Sequence, residues 1–226
     1  EMKKIGLIGG LGPEATVDYY KAIIDSFKEG NSGDLNYPEM LIYSVNMEHF
    51  IGFVRRGNHK AATDYLIEAT NALAKTGIDF IALTANTPHL FFDEIQKATA
   101  VPMLSIVEAT ARKAKALGLR RTGLIGTSFT MRSGFYSEVF NKYGIEIEIP
   151  DKDDIKYIND KLFSEIELGI FKEETREGLI EIIGKMKSQQ NIEGVILGCT
   201  ELPLILTQPE YHGIPSLNTT AIHVRE

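Results

Sequence analysis

The sequence predicts an α/β protein made of two pseudosymmetric doubly wound halves. Each half is expected to hold a parallel sheet of about four strands, with the active site in the cleft between them. Two observations carry this. Short β-branched apolar runs alternate with amphipathic segments, the pattern of parallel sheets covered by helices on both faces. The chain also repeats itself. Lys4-Ile5-Gly6-Leu7-Ile8-Gly9 reads again as Arg121-Thr122-Gly123-Leu124-Ile125-Gly126. Ile78 to Thr87 reads again as Ile192 to Glu201, and Val101-Pro102-Met103-Leu104 as Ile214-Pro215-Ser216-Leu217. The offsets are 117, 114 and 113 residues, so order and spacing are kept. That is a duplicated half-chain. No low-complexity linker divides the copies, which are expected at 1–116 with 218–226, and at 117–217.

The elements follow in order. Strands are expected at 3–9, 40–46, 79–85, 102–105, 121–126, 144–148, 193–198 and 214–217, each short and apolar. Helical spacing of apolar residues marks 14–28, 59–76, 106–118, 131–142, 152–168 and 174–188. In the second of these, Tyr65, Leu66, Ala69, Leu73 and Ala74 share one face. Ligands of such sheets bind beyond the carboxyl ends of the strands. The segments after strands are therefore the candidates: Gly9–Thr16, Asn46, Ala85–His89, Gly126–Thr130 and Cys199–Glu201.

Bulk properties narrow the function. The 226 residues are 43% hydrophobic and 24% charged, with a net charge of −7. A nucleic-acid surface needs a basic stripe, which this balance disfavours. No apolar run approaches the roughly 20 residues that span a bilayer, and no secretory signal is read. With one cysteine no internal disulfide can form, and the cytoplasm is the expected compartment.

Gly9-Gly10-Leu11-Gly12-Pro13-Glu14-Ala15-Thr16 follows the first strand and opens a helix. Gly10, Gly12 and Ala15 formally fit a dinucleotide fingerprint. However, Glu14 places negative charge where a pyrophosphate would sit, and Asn46 stands where an acidic residue should end the second strand. A tight glycine turn, or a loop whose N–H groups at Gly10 face a small carboxylate, are the remaining readings. Asn86 and Thr87 are good N-caps, but capping does not explain the hydroxyls of Thr127, Thr130 and Thr200 at related strand ends. Hydroxyls, an amide and N–H groups together suit a carboxylate or a developing oxyanion. His89 reads as a capping or supporting histidine. No metal is expected, because no His/Cys/Asp/Glu set shows a recognisable ligand spacing. Cys199 is either a buried apolar residue or a reactive thiol. Its place before Thr200-Glu201, at an expected helix N-terminus, predicts a pKa below the ordinary value of roughly 8.5. In the repeat, Cys199 aligns with Ala85.

With these motifs the chain resembles the aspartate/glutamate racemase superfamily, in particular its aspartate racemase and broad-specificity amino-acid racemase branch. The glycine-rich start matches. Ala85-Asn86-Thr87-Pro88-His89 is similar to the branch's Cys-Asn-Thr-x-His. Gly126-Thr127-Ser128-Phe129-Thr130 is similar to its Gly-Thr-x-x-Thr, and Gly198-Cys199-Thr200-Glu201 to its Gly-Cys-Thr-Glu. The resemblance covers essentially the whole chain. It implies an isomerase that needs no cofactor, neither pyridoxal phosphate nor metal. In such enzymes one cysteine removes the α-proton of an amino acid and a second delivers a proton to the opposite face. It assigns proton transfer to Cys199 and to the position of Ala85. Substrate binding falls to Gly10, Asn46, Asn86, Thr87, Thr127, Thr130, Thr200 and Glu201. The expected partner is an amino acid or related carboxylate, and a homodimer is expected.

Two departures matter. Ala85 cannot carry a proton. It is a replaced cysteine, or the mark of a natural one-cysteine enzyme like the superfamily's arylmalonate decarboxylases, or a variant whose Thr84, Thr87 or an ordered water serves that face. A one-thiol decarboxylase or isomerase, and an amino-acid binding protein without catalysis, are the alternatives to a racemase. Aspartate-selective relatives also carry basic residues that grip the distal carboxylate. Here Ser44-Val45-Asn46-Met47-Glu48 holds no arginine, and Glu167 stands in Glu165-Ile166-Glu167-Leu168-Gly169 near the expected lysine. This disfavours an acidic substrate side chain.

Overall fold

The computed structural model describes residues 2–30 and 35–226, with the backbone alone at 29 and 30. Two compact units emerge: Glu1–Ser105 with Val224–Glu226, and Ile106–His223.

The first unit holds β1 (Ile5–Gly9), α1 (Pro13–Gly30), β2 (Met40–Ser44), α2 (Met47–Arg55), α3 (His59–Ala74), β3 (Phe80–Leu83), α4 (Phe92–Lys97) and β4 (Met103–Leu104). Its sheet is parallel, in the order β2-β1-β3-β4. Alternation along each strand decides which layer it feeds. Ile8, Ile81 and Leu83 pack with Phe50, Leu66, Ala69, Leu73 and Ile95, from α2, α3 and α4. Leu7 and Ala82 point the other way, onto Tyr19 and Ile23 of α1.

The second unit holds α5 (Ile106–Ala116), β5 (Arg121–Ile125), α6 (Ser128–Arg132), α7 (Phe135–Asn141), β6 (Glu146–Glu148), α8 (Lys152–Ser164), α9 (Glu173–Gln190), β7 (Gly194–Leu197), α10 (Leu202–Ile205), β8 (Glu210–Tyr211), β9 (Ile214–Asn218) and most of α11 (Thr219–Val224). Its order is β6-β5-β7-β9-β8. Removing the antiparallel edge strand β8 leaves the order of the first unit. β8 and β9 are joined through His212 and Gly213, both at positive φ (50° and 73°). That is the backbone a two-residue hairpin demands.

The register makes the duplication explicit. Gly6 faces Ile81 and Ile8 faces Leu83; Gly123 faces Val195 and Ile125 faces Leu197. One step on, Thr84 N–H donates to Ile8 O (3.0 Å) and Gly198 N–H to Ile125 O (2.7 Å). Ala85 and Cys199 are therefore equivalent by hydrogen-bond register as well as by sequence. Other pairs repeat too. The Asp79 carboxylate accepts from Lys4 N (2.7 Å), as that of Glu193 does from Arg121 N (3.2 Å). A Cβ on Gly6 would meet Ile78 Cδ1 at 2.3 Å, and one on Gly123 would meet Ile192 Cδ1 at 2.8 Å. The isoleucine that opens each third-strand segment is thus packed over a mid-strand glycine.

Some boundaries differ from the sequence reading. The second strand stops at Ser44 because Asn46 Oδ1 accepts from His49 N (3.2 Å) and caps α2, a helix the sequence reading omitted. The helix expected over 131–142 is two, α6 and α7, separated at Gly134 with φ 80°. The one expected over 152–168 ends at Ser164 and gives way to a 3-10 turn, Ile166–Leu168. Residues 106–116 and 218–223 group with the second unit.

Candidate active site

The chemistry in the second unit gathers where β7 ends. Gly198 lets the chain pass close to β5: a Cβ there would lie 2.6 Å from Leu124 Cδ1 and 3.0 Å from Ile125 O. Cys199 follows, buried at 6% exposure. Its surroundings are not those of an inert core thiol. Sγ donates to Glu201 Oε2 at 3.1 Å and lies 3.5 Å from Glu167 Oε1. Glu201 Oε2 also accepts from Thr200 Oγ1 at 3.1 Å. Thr200 and Glu201 are themselves buried. The Tyr136 hydroxyl belongs to the same neighbourhood: burial, then the nearby Cys199 thiolate charge, push it far up.

This corrects the thiol's expected electrostatics. Burial first, then Glu201 and Glu167, push the Cys199 thiol well above its ordinary value. The helix that follows, α10, spans four residues, too little to offset two carboxylates. Burial and Glu201 also push Glu167 up to about 8. At neutral pH the group therefore holds protons on both Cys199 and Glu167. The ligand atoms of Glu167, Cys199 and Glu201 lie within 4.8 Å of one another. We read them as a proton-sharing trio. No spacing rule could have found it, because it joins residue 167 to residues 199 and 201.

Thr127 and Thr130 lie after β5. Thr127 Oγ1 accepts from Thr130 N (3.1 Å), capping α6, and donates to Thr130 Oγ1 (3.1 Å). Both are buried. Ser128 N donates to Asn159 Oδ1 at 2.9 Å, which ties this loop to α8.

The first unit presents the corresponding strand ends. Gly10, at φ 85°, follows β1. A side chain there would collide with Val45 O at 2.4 Å, so only glycine fits. Its N–H donates to Thr16 Oγ1 (2.9 Å), and Thr16 Oγ1 donates to Gly12 O (3.0 Å). The tight-turn reading of this loop describes that geometry. Its threonine, the last residue of the candidate segment, closes the loop internally. Asn46 is exposed and occupied by its cap; Tyr65 Oη accepts from its N–H at 2.9 Å. Ala85 is buried at 4%. Asn86 and Thr87 open the 3-10 segment Thr87–Phe91, and Asn86 makes no side-chain cap bond. His89 Nδ1 lies 2.8 Å from Ala85 O, its ring stacked on Phe92, which is the supporting role expected of it.

The second unit carries a carboxylate-flanked thiol at a strand end, and its register equivalent in the first unit is position 85. The family can be stated: residues 8–226 match the Asp/Glu/Hydantoin racemase family, and the chain belongs to it. It is an enzyme of the racemase type. It is 31% identical over 222 residues to the broad specificity amino-acid racemase RacX of Bacillus subtilis, covering 96% of this chain and 93% of that protein. Among solved structures, an aspartate racemase homologue from Pyrococcus horikoshii superposes with a TM-score of 0.84 at 38% identity, covering 99% of this chain and 96% of that one. The aspartate racemase of Picrophilus torridus gives 0.75 at 25% identity, covering 96% and 89%.

Proposed function

We propose that this protein is an amino-acid racemase acting through thiol proton transfer at Cα, with Cys199 as the proton carrier for one face. The observation that carries the reading is Cys199 Sγ held by Glu201 at 3.1 Å, with Glu167 at 3.5 Å, at the end of β7. As a thiol, Cys199 is set to deliver a proton to a carbanion. In the reverse direction, Glu201 Oε2 takes the Sγ proton as the thiolate removes the α-hydrogen. A substrate ammonium group favours that charge separation, since a nearby cation stabilises the anionic form. Thr127, Thr130 and Thr200 are the hydroxyl residues of this unit assigned to the substrate carboxylate, with the Thr127 and Thr200 protons, now on Thr130 and Glu201, turning to it on binding. Asn86 and Thr87 stand at the equivalent strand end of the first unit. No cofactor is needed for this route. The Glu201 carboxylate beside the thiol opposes an acidic side chain, so neutral and basic amino acids are the favoured substrates.

Position 85 limits the reaction. It is the register equivalent of Cys199, and its methyl group carries no proton. The chain should exchange Cα hydrogen of one enantiomer, or turn over slowly. Incubating single enantiomers of acidic, neutral and basic amino acids in heavy water tests this by mass spectrometry. Deuterium should enter one enantiomer of a neutral or basic substrate and not in Cys199→Ala. Binding without any exchange would overturn the proposal. The lone thiol also favours a second reading, a one-face decarboxylase. Carbon dioxide release from a malonate-type acid without amino-acid exchange would select it.

A further inference from the structure

Glu165 lies outside the thiol's shell, yet the loop that brings Glu167 to Cys199 is built on it. It follows α8 and is buried at 6% exposure. One carboxylate oxygen accepts from Lys161 Nζ (2.8 Å) and Lys172 Nζ (3.0 Å); the other accepts from Thr175 Oγ1 (2.5 Å). Lys161 belongs to α8 and Thr175 to the first turn of α9, so this side chain ties two helices. The main chain closes on the same residue. Glu165 O accepts from Leu168 N (3.0 Å) and Ile170 N (2.9 Å), and Gly169, at φ 73°, reverses the chain. Beyond Glu167 the apolar side chains of the loop face outward, with Leu168, Ile170 and Phe171 exposed. The buried side chains that fix it are Ile166 and Glu165.

We propose that Glu165 is a positioning residue, which acts through the 166–170 turn to hold the Glu167 carboxyl against Cys199. The inference deepens the thiol reading of this site. An apolar residue would bury as well here, but would not fix the turn through three donors from two elements. The charged groups around the anchor are Lys161 and Lys172, with Tyr157 and Glu174 beside Lys161. Those around the thiol are Glu167, Glu201 and Tyr136. The two lysines and Thr175 keep Glu165 ionised, down to about 2. The anchor therefore stays charged throughout the range in which the thiol titrates.

The test reads the thiol rather than turnover. Cys199 is the chain's one cysteine, so iodoacetamide alkylation of the full chain, followed by mass spectrometry across pH, reports it alone. Because Glu167 helps raise the thiol, releasing Glu167 lowers the alkylation midpoint. Glu165→Gln should move it down by about half a pH unit, roughly a threefold faster reaction at fixed pH below the midpoint. Glu167→Gln should move it the same way. The double variant should show no further shift, since Glu165 acts only through Glu167. Lys172→Met removes one exposed donor, should shift the midpoint less, and is read by the same rule if Glu165→Gln does not fold. A Glu165→Gln profile that superimposes on the parent's, or a shift that persists in the Glu167→Gln background, would overturn the proposal. Alkylation needs no substrate, so a chain that fails to racemise leaves this result readable.

Discussion

At the scale of the residue, the site turns on where protons rest. Burial and two carboxylates make Cys199 a thiol rather than a thiolate. The same crowding makes Glu167 a carboxylic acid at neutral pH. The second effect has a stability signature. Glu167 binds its proton more tightly in the folded chain, with a pKa near 8 against an ordinary 4.5. Its contribution to stability is full below about pH 4.5 and is lost as pH rises through 8. Urea denaturation should show stability falling across that window by at most about 1.4 kcal/mol per pH unit from this group. Glu167→Gln should flatten the fall. A variant whose midpoints track the parent's from pH 5 to 9 would show that Glu167 does not hold the proton. Sequence alone suggested the opposite sign for the thiol, because it revealed a helix start but neither the helix's length nor that Glu167 lies beside the thiol.

At the scale of the element, mid-strand glycines do the work that distinguishes this sheet. Gly6 and Gly123 leave room for Ile78 and Ile192, which seat the third strand of each copy and hence the loop at its end. Gly6→Ala brings a Cβ to 2.3 Å from Ile78 Cδ1. Overpacking of that kind typically costs about 1–3 kcal/mol. Removing that Cδ1 with Ile78→Val costs roughly 0.5–1.5 kcal/mol alone, and should recover part of the loss when combined with Gly6→Ala. Strictly additive losses in chemical denaturation would contradict the packing account. The strands were legible as short apolar β-branched runs, and the long helices because a 3.6 period ran long enough to show. The short helices α2, α4, α10 and α11 were missed or left unbounded. A helix of four to nine residues shows too little periodicity, and caps such as Asn46 read equally well as turn residues. The β8–β9 hairpin was hidden for a related reason: His212-Gly213 is a turn only in light of the positive φ at histidine.

At the scale of the whole molecule, the duplication was legible and its meaning survives in the register of both sheets. What sequence could not supply was the convergence of residues 167, 199 and 201, which depends on how a loop after α8 folds back. The closure of the Gly10 loop by Thr16 Oγ1 is likewise invisible to a glycine pattern. The proposed reading makes this a two-position proton-transfer scaffold with one position silent. It is tested most directly by Ala85→Cys, followed by polarimetry or chiral chromatography on neutral, basic and acidic amino acids. The register equivalent of a working thiol should accept a second one, since Ala to Cys adds a single small atom. A proton carrier is typically worth a factor of roughly 10²–10⁴. Ala85→Cys should therefore racemise at least about 100-fold faster than the parent chain on a neutral or basic substrate. Loss of that gain in Ala85→Cys/Cys199→Ala would complete the result. An Ala85→Cys protein that is folded and inert on every amino acid, or a parent chain that already racemises as fast, would contradict the account.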